Sequence, residues 1–222
     1  MEITPHKKFP GIFLFKNNLA TKNLVPGKRV YEEQLFKHNG IEYREWISFR
    51  SKPAAAIKKG LNQFPLLEKM KVLYLGLASS TTASHFSDIV GKDGLIYGIE
   101  ISERVLRDTL PVAKERENLV PLLANGRNPE SYSWIEEVDL VYADIAIPDM
   151  TEVFIRNCEF FLKPKGFAMI AIKSRSIDVT QKPQIIYKNE RKKLENKFNV
   201  VDFVTLEPLE RDHGFFVCKA KS

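Results

Sequence analysis

The chain is poor in cysteine: it has two, Cys158 and Cys218, far apart and without metal-ligand spacing. Two such thiols build neither a disulfide framework nor a thiolate zinc site, and they fit a protein of a reducing compartment. Long apolar runs are missing as well. No uncharged stretch approaches the roughly 18 residues that cross a bilayer. The polar opening Met1-Glu-Ile-Thr-Pro-His-Lys-Lys8 is no signal peptide. No membrane partner is therefore expected, and the cytoplasm is the expected location. Internal repeats and low-complexity segments are also lacking. What remains is an ordinary globular composition, 44% hydrophobic and 28% charged over 222 residues, enough for one domain or one domain with a small appendage. The 34 basic residues exceed the 28 acidic ones, giving a net charge of +6. That balance permits a polyanionic partner without requiring one.

Residues 1–52 carry β character and are expected to form a small antiparallel N-terminal subdomain. Gly11-Ile-Phe-Leu-Phe-Lys16 and Arg29-Val-Tyr31 read as strands, Pro26-Gly27 as a turn, and Gln34–Arg44 as a hairpin about Asn39-Gly40. From residue 53 to 222 the pattern changes. Pro53–Gly60 reads as a short helix, and apolar strands then alternate with amphipathic helices. The strands fall at 71–75, 95–100, 119–123, 138–143 and 166–172; the helices at 81–90, 103–117, 129–136, 149–162 and 183–197. Such alternation implies βαβ units and a mostly parallel α/β sheet. The two closing runs, Val200–Val204 and Gly214–Cys218, have no helix between them and are expected to pair antiparallel at the sheet edge.

The segment Lys71-Val-Leu-Tyr-Leu-Gly-Leu-Ala-Ser-Ser-Thr-Thr82 carries the first functional signal. A buried strand breaks at Gly76 into small residues, and Thr81-Thr82 open a helix, which brings amides and a positive dipole end against a ligand. The next strand ends in Glu100, placed to accept from the hydroxyls of an adenosine ribose. Strand 119–123 ends in Asn125-Gly126 and strand 138–143 in Asp144. In a doubly wound sheet these ends converge at one crevice. A dehydrogenase loop would read G-x-G-x-x-G, but Ala78 and Thr81 stand where the second and third glycines belong. The diphosphate cradle is thus missing, and S-adenosylmethionine, an adenosine without phosphate, suits the loop better. Its carboxylate fits the loop amides and threonine hydroxyls.

Tyr43-Arg-Glu-Trp46 with Phe49-Arg-Ser-Lys-Pro-Ala-Ala-Ala-Ile57 resembles the fibrillarin signature, and the likeness continues through Val72–Gly76, Thr81–Gly91, Tyr142–Ala146 with Pro148-Asp149, Ile172–Thr180 and Glu210–His213. The resemblance implies a class I (Rossmann-like) S-adenosylmethionine-dependent methyltransferase sheet behind a small β subdomain. It also implies an RNA ribose 2′-O-methyltransferase acting on rRNA, with tRNA as a further candidate substrate, in a box C/D ribonucleoprotein. The partners implied are guide and target RNA, a Nop-domain scaffold protein and a kink-turn-binding ribosomal-type protein. Carried onto this chain, Lys52, Asp144 and Lys173 match the Lys-Asp-Lys set that handles the poorly nucleophilic 2′-hydroxyl, with His213 as a fourth member. A carboxylate between two ammonium groups stays ionised, and a lysine made less basic by burial is a candidate proton acceptor. The cofactor set becomes Gly76, Ala78, Thr81, Thr82, Glu100, Ile101, Asn125, Gly126 and Asp144 with Ile145, Ala146 and Ile147. Arg44, Arg50 and Arg175 are candidates for phosphate contact. The run Arg191-Lys-Lys193 reads as a solvated helix face.

The chain departs from the family pattern in the loop itself. Leu77 replaces an alanine, and Ser80 replaces a glycine, at a cost of about 1 kcal/mol if that position needs positive φ. Asn125-Gly126 replace Asp-Ala, and Ile147 and Met150 stand at glutamine positions. No Gly/Arg-rich tail is present, which points to the archaeal form. Two other readings stay open at this point: a non-catalytic assembly subunit of the ribonucleoprotein, and, less favoured, a nicotinamide oxidoreductase.

Overall fold

The computed structural model describes residues 2–221. Its first five strands, β1 (Ile3–Pro5), β2 (Ile12–Phe15), β3 (Asn18–Lys22), β4 (Leu35–His38) and β5 (Ile41–Trp46), form an antiparallel sheet in the order β1-β2-β3-β5-β4. The Asn39-Gly40 hairpin forms as expected: His38 pairs with Ile41, and φ is positive at both turn residues, +49° and +76°. That doubly positive turn matches the right-handed twist of the flanking strands. Arg29–Tyr31 is not a strand. The Val30 and Tyr31 amides donate to the Glu33 carboxylate at 2.9 and 2.8 Å, so a local side chain takes the donors a neighbouring strand would need. β3 escapes sequence reading because three successive residues, Leu19, Ala20 and Thr21, are buried on both faces and the period of two is lost.

The second sheet follows α1 (Lys52–Lys58) and contains β6 (Lys71–Leu75), β7 (Leu95–Glu100), β8 (Leu119–Leu123), β9 (Val138–Ala143), β10 (Leu162–Lys173), β11 (Phe198–Thr205) and β12 (His213–Ala220). Between these strands run α2 (Thr81–Val90), α3 (Glu103–Glu115), α4 (Met150–Phe161), α5 (Ser174–Ile177) and α6 (Pro183–Glu195). The order is β11-β12-β10-β9-β6-β7-β8, parallel from β10 through β8, with β12 antiparallel to both of its neighbours. β6 is flanked by β7 and β9, so the chain winds outward in both directions from that pair and opens a crevice at its carboxyl end. Residues 129–136 form only a short 3₁₀ turn, Pro129–Tyr132, not a full helix.

One apolar core joins the two sheets. Phe9, Ile12, Leu19 and Trp46 pack with Ala54, Phe86, Tyr142 and Phe215, while Phe154, Phe161, Tyr187 and Phe216 fill the opposite face of the large sheet. α2 is sandwiched between the sheets, and all ten of its residues are buried.

The same interface buries ions, which corrects the expectation for Arg44. Its side chain is completely enclosed, held by Glu33 at 2.6 Å and Asp88 at 3.1 Å. No phosphate can reach it. Arg44 therefore belongs to the packing between subdomain and α2, together with Arg116, which donates to Asp88 at 2.7 Å. His85 completes the cluster. The Thr21 hydroxyl donates to Asp88 at 2.7 Å, so His85 Nδ1 must be the donor to Thr21 at 2.8 Å, and Nε2 accepts from Tyr31 at 2.6 Å. Burial, and after it Arg44 and Arg116, push the imidazole pKa well below its ordinary value. An unfolded histidine takes a proton near pH 6.5 while His85 refuses it, so this contribution to stability is present above that pH and is lost as pH falls. The slope should reach about 1.4 kcal/mol per pH unit below pH 6.5. Urea titrations at pH 7.5, 6.5 and 5.5 test this; a flat profile contradicts a neutral buried His85.

Candidate active site

The crevice is an open cleft of about 220 Å³ at the ends of β6, β7, β8 and β9. Its lining is Leu75, Gly76, Ala78, Ile99, Glu100, Ile101, Ala124 to Arg127, Asp144 to Ile147, and Val153. Gly76 ends β6 at φ +85°, and a Cβ there would lie 2.4 Å from the Asp144 carbonyl oxygen. No other residue fits. The Gly76 and Leu77 amides both donate to Ile99 O, and the Asp144 amide donates to Leu75 O, which ties the three strand ends together. Leu77 buries itself over Gly98, where a missing Cβ leaves the room; this accounts for its tolerance in place of a smaller residue. Ser80 takes positive φ, +61°, as expected for a position that favours glycine.

Glu100 faces the cleft while accepting from the Ala78 amide at 3.0 Å and the Ser102 amide at 2.9 Å. A carboxylate has about four lone-pair sites, so acceptor capacity remains for a ligand's hydroxyls. Asn125 Oδ1 accepts from the Arg127 amide at 3.0 Å, closing a turn whose residues line the same wall. At the open end of α2 the Thr81 and Thr82 amides donate to no acceptor among the described residues. An apolar trough that contains an acid and shares Gly76 and Ala78 with a second cleft, where the free helix amides lie, fits a nucleoside bearing an amino-acid tail.

A second, more polar cleft adjoins the first, lined by Arg50, Lys52, Tyr74, Gly76 to Ser79, Thr81, Thr82, Asp144 and Ala146. Thr81 and Thr82 thus lie here rather than along the first wall. The Thr82 hydroxyl donates to Ser51 at 2.9 Å, linking the loop to the start of α1. At the junction Lys52 pairs with Asp144 at 2.9 Å, both partly buried. Burial works against the ammonium, but Asp144, and more weakly Glu210, outweigh it and raise the Lys52 pKa. Lys52 is more basic than usual, not less. Beneath the pair, the buried Tyr74 and Tyr142 hydroxyls are kept protonated, first by burial and then by the Asp144 charge.

His213 opens β12 directly across from Lys173 at the end of β10. Its Nδ1 lies 2.6 Å from the Arg211 carbonyl, which can only accept, so Nδ1 carries the proton and Nε2 has no partner among the described residues. Burial lowers its pKa, an effect only partly offset by that bond, so the ring is neutral at pH 7. The expectation of a carboxylate between two ammonium groups is met on one side only. Ala143 pairs with Ile170, so Asp144 lies opposite Ala171, and Lys173 is about 7 Å farther along the strand. Lys173 is exposed and pairs with no carboxylate among the described residues. Arg50 and Arg175 are exposed, paired with Glu32 at 3.1 Å and Asp212 at 3.4 Å. In the Arg191-Lys-Lys193 run, Arg191 pairs with Glu195, and Lys193 with Glu152 and Glu190.

Several contributors were not legible beforehand. Arg127 walls the first cleft through a fork onto Asp149, Nε to Oδ2 at 2.8 Å, and Val153 closes its floor. Nothing in the sequence links Arg127 to Asp149. Ser51 directly precedes Lys52 in the Phe49–Ile57 segment, and that adjacency is its signal.

The fibrillarin family model matches residues 3–222. The chain is 48% identical over 225 residues to the fibrillarin-like rRNA/tRNA 2′-O-methyltransferase of Thermococcus onnurineus, covering 99% of each chain. It superposes on Aeropyrum pernix fibrillarin, a structure with natively bound S-adenosyl-L-methionine, with a TM-score of 0.91, 46% identity and 98% of each chain covered. It also superposes on a chain of a fibrillarin/Nop5p complex with a TM-score of 0.88 and 40% identity, covering 95% of this chain and 98% of that one.

Proposed function

The chain belongs to the fibrillarin family, and from that premise we propose that it is the S-adenosylmethionine-dependent methyltransferase of a box C/D ribonucleoprotein, acting on ribose 2′-hydroxyls of rRNA chosen by a guide RNA. One observation carries this reading: the Lys52–Asp144 pair stands where a nucleoside-shaped apolar cleft meets an open polar one. The cofactor supplies an electrophilic sulfonium methyl. Glu100 and Asn125 hold the adenosine end, and the α2 amides with Thr81 hold the carboxylate. Lys52, kept charged by Asp144, donates to and orients the incoming hydroxyl. It does not take the proton, because its pKa is raised. The acceptors in this corner are the Asp144 side chain paired with Lys52 and His213 Nε2, and the hydroxyl proton goes to that pair. Lys173, Arg50 and Arg175 meet the ribose-phosphate backbone at the rim, while base pairing with the guide selects the site.

The same reading extends to tRNA as a second substrate and to a Nop-domain scaffold as the partner that brings the chain to RNA. A kink-turn-binding ribosomal-type protein completes the particle, which works in the cytoplasm. No described helix is long and apolar enough to cross a membrane. Labelled methyl transfer to rRNA and tRNA fragments, with the guide particle assembled or with the chain alone, tests the proposal. Transfer to the guided 2′-oxygen only in the assembled particle is the expected result. Efficient methylation of small molecules by the lone chain would sink it, and absence of cofactor binding at millimolar concentration would leave only a non-catalytic subunit.

A further inference from the structure

α3 buries one side chain completely, and that side chain is polar: Thr109. Its neighbours on the same stripe, Leu106, Val112 and Ala113, are apolar and only partly buried against the core. Packing alone would favour an aliphatic residue in the middle of such a stripe. The Thr109 hydroxyl instead reaches out of its helix. It donates to the Ala78 carbonyl at 2.7 Å and accepts from the Ser80 hydroxyl at 3.2 Å. Both targets are strained, with φ of +47° at Ala78 and +61° at Ser80, neither of them glycine. Such backbone persists only where the surroundings over-determine it. Ala78 is gripped on both sides, since its amide also donates to Glu100 at 3.0 Å. The Ser80 hydroxyl is enclosed and finds Thr109 as its partner.

We propose that Thr109 is a positioning residue for cofactor binding, pinning the left-handed turn at Ala78 and Ser80 from α3. Thr109 itself lines neither cleft and acts through Ala78, which lines both, and through Ser80. In this chain the tie replaces the conformational ease that a glycine would bring to the Ser80 position. Without it the loop relaxes and must be ordered again when cofactor binds, which weakens affinity and leaves the chemical step intact. The proposal rests on the first cleft being the S-adenosylmethionine site.

The test uses the full chain, with calorimetric titration of S-adenosylmethionine and amide hydrogen exchange of the free protein. Thr109→Val keeps the shape and removes the hydroxyl; it should bind roughly tenfold more weakly. Its loop amides at 76–81 should exchange faster while those of β6 and β7 stay protected. Thr109→Ser restores the hydroxyl and should recover affinity to within about threefold of wild type. If Thr109→Val does not fold, Ser80→Ala removes half of the tie and should shift both readings the same way. Wild-type affinity and unchanged loop exchange in Thr109→Val would overturn the proposal, as would a Thr109→Ser variant as weak as Thr109→Val. A wild-type chain that binds no S-adenosylmethionine would sink the cofactor reading instead, and loop exchange in the free protein would still decide whether Thr109 holds the turn.

Discussion

Asp144→Asn should lower methyl transfer in the assembled particle by about 10²–10⁴-fold while leaving the fold intact. Asparagine keeps the shape, and the Asp144 amide bond to Leu75 O does not depend on the side chain. What is lost is the charge that holds Lys52 at 2.9 Å. Burial is the largest influence on the Lys52 ammonium and acts against it, so without Asp144 the lysine pKa falls instead of rising. Two functions fail together: Lys52 no longer presents a fixed donor, and the carboxylate is gone from the pair that receives the proton. Lys52→Met should therefore cost a similar factor, and the double variant little more than either single one, because the two act as a unit. Single-turnover methylation, with cofactor binding measured separately, checks this. Additive losses in the double variant would show that the two side chains work independently.

How far the sequence could be read depended on whether a property is local. β6 and β9 are short apolar runs ended by Gly76 and Asp144, residues whose types announce a turn and an acid, and both strands lie at the positions read from the pattern. The hairpin at Asn39-Gly40 is equally local. Arg44 reads as a phosphate contact because charge is written in the sequence and burial is not: its partners Glu33 and Asp88 come from another part of the subdomain and from α2. Thr109 was silent for the same reason, since a single threonine on an amphipathic helix carries no mark of the loop carbonyl it reaches. Lys52 and Asp144 were placed together through the family likeness. Which lysine of the set could accept a proton is not written in the sequence; the raised pKa that excludes Lys52 needed the distance between them.

Arg44→Met should destabilise the chain by about 3–5 kcal/mol, the range for breaking a buried ion pair from one side. In the native cluster Asp88 receives Arg44 at 3.1 Å, Arg116 at 2.7 Å, the Thr21 hydroxyl at 2.7 Å and the Leu24 amide at 3.0 Å. Removing the Arg44 guanidinium strands Glu33, whose side chain is fully enclosed and whose other bonds are to the Val30 and Tyr31 amides. At about 2–4 °C per kcal/mol for a chain of this size, the melting midpoint should drop by roughly 6–20 °C. The contrasting variant is Arg50→Ala. Its side chain is exposed and its pairing with Glu32 is a surface contact, so stability should change by less than about 1 kcal/mol. RNA binding by the assembled particle should reverse the ranking. Arg50→Ala should weaken it and lower the slope of log affinity against log salt by about one, as expected for one lost phosphate contact. Arg44→Met, measured below its melting point, should leave that slope unchanged. A salt slope altered by Arg44→Met would mean that the enclosed guanidinium reaches RNA after all, by an opening of the seam between the subdomain and α2.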